Sequence, residues 1–190
     1  MTSPTTDIDR TAFHIVDAGR WDDLARLFES RGGPKHCWCM VWRAMDAEAR
    51  RTNGGRRRAA LEDRVATGVP VGLLGYLDDE PVAWCSIAPR SAYRDLGGPD
   101  APTGDPDPVW SLVCFFVVRR LRGYGMSRRL IEAAAAYARG EGAEFLEAYP
   151  VDPDSPSYRF MGFVRTFEAA GFEAVGRAGK RRHVMRLKLE

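Results

Sequence analysis

Between residues 109 and 142 the apolar run VWSLVCFFVV passes through RRLRGYGMS into the alanine-rich RRLIEAAAAYARGEG. A strand, a short glycine turn and a helix in that order aim the unpaired amides of the first helical turn at one spot. The helix dipole adds roughly half a positive charge there. Phosphate is the ligand such a turn holds. Gly123 and Gly125 let the backbone come close to an anion, and Arg122, with Arg119, Arg120, Arg128 and Arg129 nearby, supplies cationic donors. Two phosphates in a row, a pyrophosphate, suit the length of this turn.

Phosphate loops differ in spacing. A Walker loop ends in Gly-Lys-Ser/Thr, which is absent, and a dinucleotide fingerprint needs a third glycine where this chain has Arg128. The remaining pattern, Arg122-x-x-Gly125-x-Ser127, resembles the Q/R-x-x-G-x-G/A acyl-CoA signature of the GNAT superfamily of acetyl-CoA-dependent N-acetyltransferases, with Ser127 in place of the last Gly or Ala. Phe167-Glu168-Ala169-Ala170-Gly171-Phe172 resembles that superfamily's usual Tyr…Gly-Phe ending, and the order of elements is similar over nearly the whole chain.

The resemblance implies an α/β (α+β) fold, with a mixed, mostly antiparallel central sheet flanked by helices and splayed central strands. One such domain would occupy residues 13–190 after a flexible N-terminus of residues 1–12. Acetyl-CoA would be the co-substrate. Phe115, Phe116 and Val117 would line its pantetheine arm, while Arg122, Gly123, Tyr124, Gly125, Met126 and Ser127 would hold the pyrophosphate. The backbone N–H of Val117 would stabilise the oxyanion, and transfer would be direct, in a ternary complex with an amine. A small-molecule acceptor is expected, and the family implies a homodimer.

Acyl transfer from a thioester to an amine needs a neutral amine, a hold on the carbonyl oxygen's developing charge and a proton for the leaving thiolate. An alkylamine with a pKa of about 10.4 benefits from a base at pH 7. The family's acid is a tyrosine on the last helix, but this chain has Phe167 there, which cannot donate a proton. Tyr149 and Tyr158 are the nearest substitutes, with water as the third. Glu147, on the same predicted strand as Tyr149, is the first candidate base, with a structural ion pair as the competing role; Asp152 and His183 rank behind it. Cys114 lies close to the expected acyl carbon, but buried cysteines mostly act as small hydrophobes, which disfavours an acyl-cysteine. Loss of the tyrosine also supports a rival: a CoA-binding sensor or scaffold without catalysis.

The segment HCWCMVWR, residues 36–43, places Cys37 and Cys39 beside His36, yet a C-x-C without a second pair is a poor zinc signature, so no metal is expected. Trp38 and Trp42, with Met40, would either form an aromatic wall for the acceptor or cover one end of the sheet.

The elements that must position these residues follow from periodicity. Residues 13–18 read as a strand, and Trp21, Leu24, Leu27 and Phe28 form one helical stripe. Leu61 and Val65 predict a second helix after the Asn53-Gly54-Gly55 break. PVGLLGYL and PVAWCSIAP, joined by Asp78-Asp79-Glu80, predict an antiparallel hairpin. VWSLVCFFVV is apolar on both faces and belongs near the sheet centre. AEFLEAYPV reads as a strand, FMGFVRTFEAAGFEAV as a helix ending at Gly171 and then a strand, and RRHVMRLKL as the last strand.

Composition bounds the rest. With 190 residues and 45% hydrophobic content, one domain with one sizeable core is expected. Twenty-eight basic against 26 acidic residues, a net charge of +2, argue against a nucleic-acid partner; the run of Arg50, Arg51, Arg56, Arg57 and Arg58 reads as a solvated face. No signal peptide and no membrane-length apolar run is visible, and four cysteines are too few for a disulfide framework, so a soluble cytoplasmic protein is expected.

Overall fold

The computed structural model describes residues 8–43, 53–102 and 108–190. The strands among them are β1 (Ala12–Ile15), β2 (Gly72–Leu77), β3 (Glu80–Pro89), β4 (Val109–Val117), β5 (Phe145–Ala148), β6 (Glu173–Ala178) and β7 (Arg182–Lys188). They form one sheet in the order β1-β2-β3-β4-β5-β7-β6. Every pairing is antiparallel except β4 with β5. The helices are α1 (Trp21–Glu29), α2 (Gly54–Ala66), α3 (Met126–Gly140) and the short α4 (Val164–Glu168).

The hairpin between β2 and β3 turns on Asp78 and Asp79, both at positive φ (49° and 63°). That is the backbone a two-residue turn needs to match strand twist, and short Asp side chains tolerate it. The strand β4 is buried at every position but Phe115, as its two-sided apolar sequence requires. The two apolar faces of the sheet are covered by different elements. Trp21, Leu24, Leu27 and Phe28 of α1 and Leu61 and Val65 of α2 share one cluster with Leu74 and Trp84. Leu130, Ile131, Ala134 and Ala138 of α3 share the other with Ile87 and Leu112. Each fully buried large aliphatic side chain contributes about 1.5–3 kcal/mol.

Several boundaries differ from the sequence expectation: the first strand is Ala12–Ile15 and not 13–18, the strand expected over residues 143–151 covers only Phe145–Ala148, and two helices also differ. The Asn53-Gly54-Gly55 break is a helix start: the Asn53 side chain accepts from the Arg56 amide at 3.1 Å and α2 begins at Gly54. The expected helix through residues 160–171 is two pieces, a 3₁₀ turn at Arg159–Met161 and α4. Gly162 lies between them at φ +87°, and Phe163 bridges to Val151, so the helical ladder stops there.

The expected splay of the central strands is present. β4 and β5 pair over only four residues, Val109↔Phe145 to Leu112↔Ala148, after which β5 ends while β4 continues to Val117. A register shift against β3, from Ser86↔Cys114 to Ile87↔Leu112, leaves Val113 as an extra residue and bends β4 at the point where it leaves β5.

Candidate active site

A cleft of about 900 Å³ occupies the gap where β4 parts from β5. Its walls are residues 114–117 of β4, the glycine turn with the start of α3, the segment from Arg159 to Phe167, and part of the segment from Gly32 to Trp42. Of the residues expected from the sequence, Phe115, Phe116, Val117, Arg122, Gly123, Gly125, Met126, Ser127 and Trp42 line it. Tyr124 does not; its side chain is among the exposed large hydrophobics.

Gly123 and Gly125 have φ values of +83° and +91°, which residues with a Cβ adopt only at a cost. Among the described residues, no backbone hydrogen bond is made by the amides of residues 123–127; the first bonds of the helix run from Arg128 and Arg129 to the Gly125 carbonyl. Five consecutive N–H groups are therefore available at the N-terminus of α3. The surrounding arginines divide. Arg120 pairs with Glu80 at 2.6 Å and Arg129 with Asp9 at 3.6 Å, whereas Arg122 and Arg128 line the cleft. Arg122 Nε donates to the Val117 carbonyl at 2.8 Å, and Arg128 is held by Glu132 at 2.9 Å.

The residues expected to move protons lie elsewhere. Glu147 is fully buried, with Arg186 Nε at 2.5 Å and Arg90 at 3.4 Å, and it accepts a hydrogen bond from the Tyr149 hydroxyl. Neither Glu147 nor Tyr149 lines the cleft. Burial, reinforced by the Glu147 carboxylate, pushes the Tyr149 hydroxyl well above the usual tyrosine range, so it holds its proton tightly. The Glu147 carboxylate thus sits in the ion pair that competed with the base role. Tyr158 is half-buried and outside the cleft lining, with its ring 6.0 Å from that of Trp42, which does line it. Asp152 and His183 form an exposed pair at 3.1 Å that also involves Arg177, outside the cleft lining. Phe167 is fully buried between Phe115 (6.0 Å) and Phe172 (5.1 Å) and gives the cleft a wall without a hydroxyl.

The HCWCMVWR segment splits in two. Trp38 turns into the core, 2% exposed and stacked on Trp21 at 6.0 Å, so of the two expected acceptor-wall tryptophans only Trp42 lines the cleft. Cys37, Cys39 and Cys114 meet at one end of the cleft, where the Trp84 indole N–H donates to Cys39 Sγ at 3.2 Å. Contact with Cys114 and burial push the Cys39 thiol well up, so it is a protonated, weak nucleophile at neutral pH. Sequence reasoning missed Arg159, Phe160, Phe163 and Thr166, which also line the cleft. They carry no motif; only the packing of residues 159–167 across β4 brings them there.

A family model, that of the acetyltransferase (GNAT) family, matches residues 22–163. The chain belongs to this family. Solved structures agree with this GNAT acetyltransferase in fold. A putative acetyltransferase, yncA, from Salmonella typhimurium with acetyl-CoA is 16% identical over 95% of both chains, with a TM-score of 0.56. A GCN5-related N-acetyltransferase from Kribbella flavida is 16% identical over 95% of this chain and 99% of that one, with a TM-score of 0.58. AAC(6')-Ib in complex with paromomycin and acetyl-CoA is 17% identical over 95% and 94%, with a TM-score of 0.61. No curated protein matches the chain. Among the described residues of this GNAT domain, no helix is long and apolar enough to cross a membrane.

Proposed function

We propose that this N-acetyltransferase transfers an acetyl group from acetyl-CoA to the amine of a small molecule, directly, in the cleft between β4 and β5. The observation that carries the reading is the run of five amides, residues 123–127, without backbone partners at the start of α3, beside Arg122 and Arg128. Free N–H groups, two positive-φ glycines and two cations suit a pyrophosphate. Acetyl-CoA held there would supply the acetyl thioester.

The chain's own groups account for the rest of the cleft. Phe115, Phe116 and Phe167 wall off an apolar channel beside β4. Val118 N–H bonds to the Val82 carbonyl on the β3 side, so strand alternation turns the N–H and C=O of Val117 to the other side, toward the gap. The Val117 amide is therefore the donor we assign to the acyl oxygen, in the manner of an oxyanion hole. Of the five side chains first considered for proton transfer, Tyr158, which packs against Trp42 just outside the cleft lining, is the one we keep as acid; otherwise water entering the cleft carries protons from the amine and to the thiolate. We read the four free cysteines as those of a cytoplasmic enzyme.

One observation favours the silent CoA-binding reading: Phe167 supplies no hydroxyl at the cleft. Free thiol followed with a panel of small amines separates the two readings. Amine-dependent thiol release supports transfer; tight acetyl-CoA binding with no release above the solvent rate supports the silent domain.

A further inference from the structure

Beside the cleft, behind its Trp42 wall and outside the lining itself, lie two guanidiniums that no carboxylate pairs with among the described residues. Trp42, on the cleft wall, has the Arg94 guanidinium 4.2 Å from its ring centroid and the Arg182 guanidinium at 4.7 Å. Arg182 also lies 5.4 Å from the Tyr158 ring. Neither arginine forms an ion pair among the described residues, and Arg94 Nε and Arg182 Nη1 are buried without a hydrogen-bond partner. Asp95 attracts Arg182 only from beyond ion-pair distance. Arg159, which lines the cleft itself, donates to the Pro153 carbonyl and, among the described residues, to no carboxylate.

The contrast with the neighbouring β5–β7 face is direct. There Arg186 and Arg90 share the buried Glu147, which offsets one of the two charges inside the fold. At Trp42 aromatic faces hold two guanidiniums in place but cancel no charge. Among the described residues no Asp or Glu lines the cleft. A polycationic acceptor would meet repulsion here with no carboxylate to receive it, and an anionic group would find planar, fork-shaped donors.

We propose that the acceptor is a primary amine that also carries a carboxylate or a phosphate, with the anion bound by Arg182 and Arg94 beside Trp42 and the amine directed into the cleft. The amine rests on the acetyl-transfer reading; the anion site rests on the arginines. Together they make Arg94 and Arg182 specificity residues that set the substrate class.

The test uses product-like ligands, so it needs no turnover. N-acetylglycine, its uncharged carboxamide and N-acetylaminomethylphosphonate are titrated into the full-length protein, with and without CoA, beside spermidine as a polycation. The charge-assisted bonds predict that an anion binds about ten-fold or more tightly than the amide. The gap should close in Arg182→Gln and Arg94→Gln, be largely retained in Arg182→Lys, and leave CoA affinity unchanged in all three. Preference for the carboxylate assigns an amino-acid-like acceptor and preference for the phosphonate a phosphorylated one. Equal binding of acid and amide, or tighter binding of spermidine, overturns the proposal. Failure to bind CoA would count against the acetyl-transfer reading alone, because the anion preference is also read without it.

Discussion

The Arg122 guanidinium donates from Nε to the backbone carbonyl of Val117 at 2.8 Å, tying the glycine turn to the end of the splayed strand. One side chain thus fixes the glycine turn against the end of β4. The Arg122 head lies 5.8 Å from the Phe116 ring centroid, lines the cleft and meets no carboxylate among the described residues. Arg122→Gln should weaken acetyl-CoA binding about ten-fold or more, as loss of a charge-assisted bond does. It should also flatten the salt dependence of binding while leaving the unfolding midpoint nearly unchanged; calorimetric titration at two ionic strengths reads both.

Glu147 acts through stability in this account. Glu147→Gln leaves Arg186 and Arg90 without their buried carboxylate, and breaking such a pair costs about 3–5 kcal/mol. Urea unfolding should show that loss. Acetyl-CoA affinity and thiol release below the lowered melting temperature should stay within a few-fold of the parent; a large fall in kcat with intact stability would restore Glu147 as a base.

Trp38 and Trp42 are four residues apart and belong to different parts of the protein. Trp38→Ala opens a void against Trp21 and Phe28 and should cost about 3–5 kcal/mol, read by thermal unfolding. It should not alter the acceptor KM of the folded protein, because Trp38 does not line the cleft.

Alkaline pH should destabilise the fold. Burial pushes the Cys85 thiol up to about 12, from an ordinary value of about 8.5 in the unfolded chain. A raised folded value means that the stabilisation is complete below the unfolded value and disappears as pH rises through the window between about 8.5 and 12. The loss is about 1.4 kcal/mol per pH unit for one such group. Tyr93 and Tyr149, pushed up mainly by burial, add to it with the same sign above their ordinary value of about 10. Unfolding free energy measured from pH 8 to 11 should therefore fall, and Cys85→Ala should make the fall shallower.

The sequence exposed what is encoded locally. The glycine turn, the Asp78-Asp79 hairpin, the apolar stripe of α1 and the two-sided β4 each follow from residues within a dozen positions of one another, and each stands where the periodicity put it. Cooperation between distant residues was not legible. Glu147 meets Arg186 and Arg90, and Trp42 meets Arg94 and Arg182, only because the order β3-β4-β5-β7 and the loops at its end bring them together. A carboxylate inside a strand left the ion pair as one of two roles for Glu147, but residue type named neither its partners nor an Arg182 without a carboxylate among the described residues. The long helix expected before Gly171 failed for a local reason that an apolar pattern hides: Gly162 takes a left-handed conformation and stops it.

The central claim is that the amides of residues 123–127 hold the pyrophosphate of acetyl-CoA. The most direct measurement is calorimetric titration of acetyl-CoA into the parent protein, Gly125→Asn and Gly125→Asp. Both substitutions impose the same backbone strain at φ +91°, and a Cβ there meets nothing closer than Ile8 Cδ1 at 3.9 Å, so the pair differs in charge alone. The account predicts micromolar binding by the parent, a modest loss in Gly125→Asn and a further loss of about ten-fold or more, about 1.4 kcal/mol, in Gly125→Asp. Equal affinity of the two variants, or no binding by the parent, would contradict it.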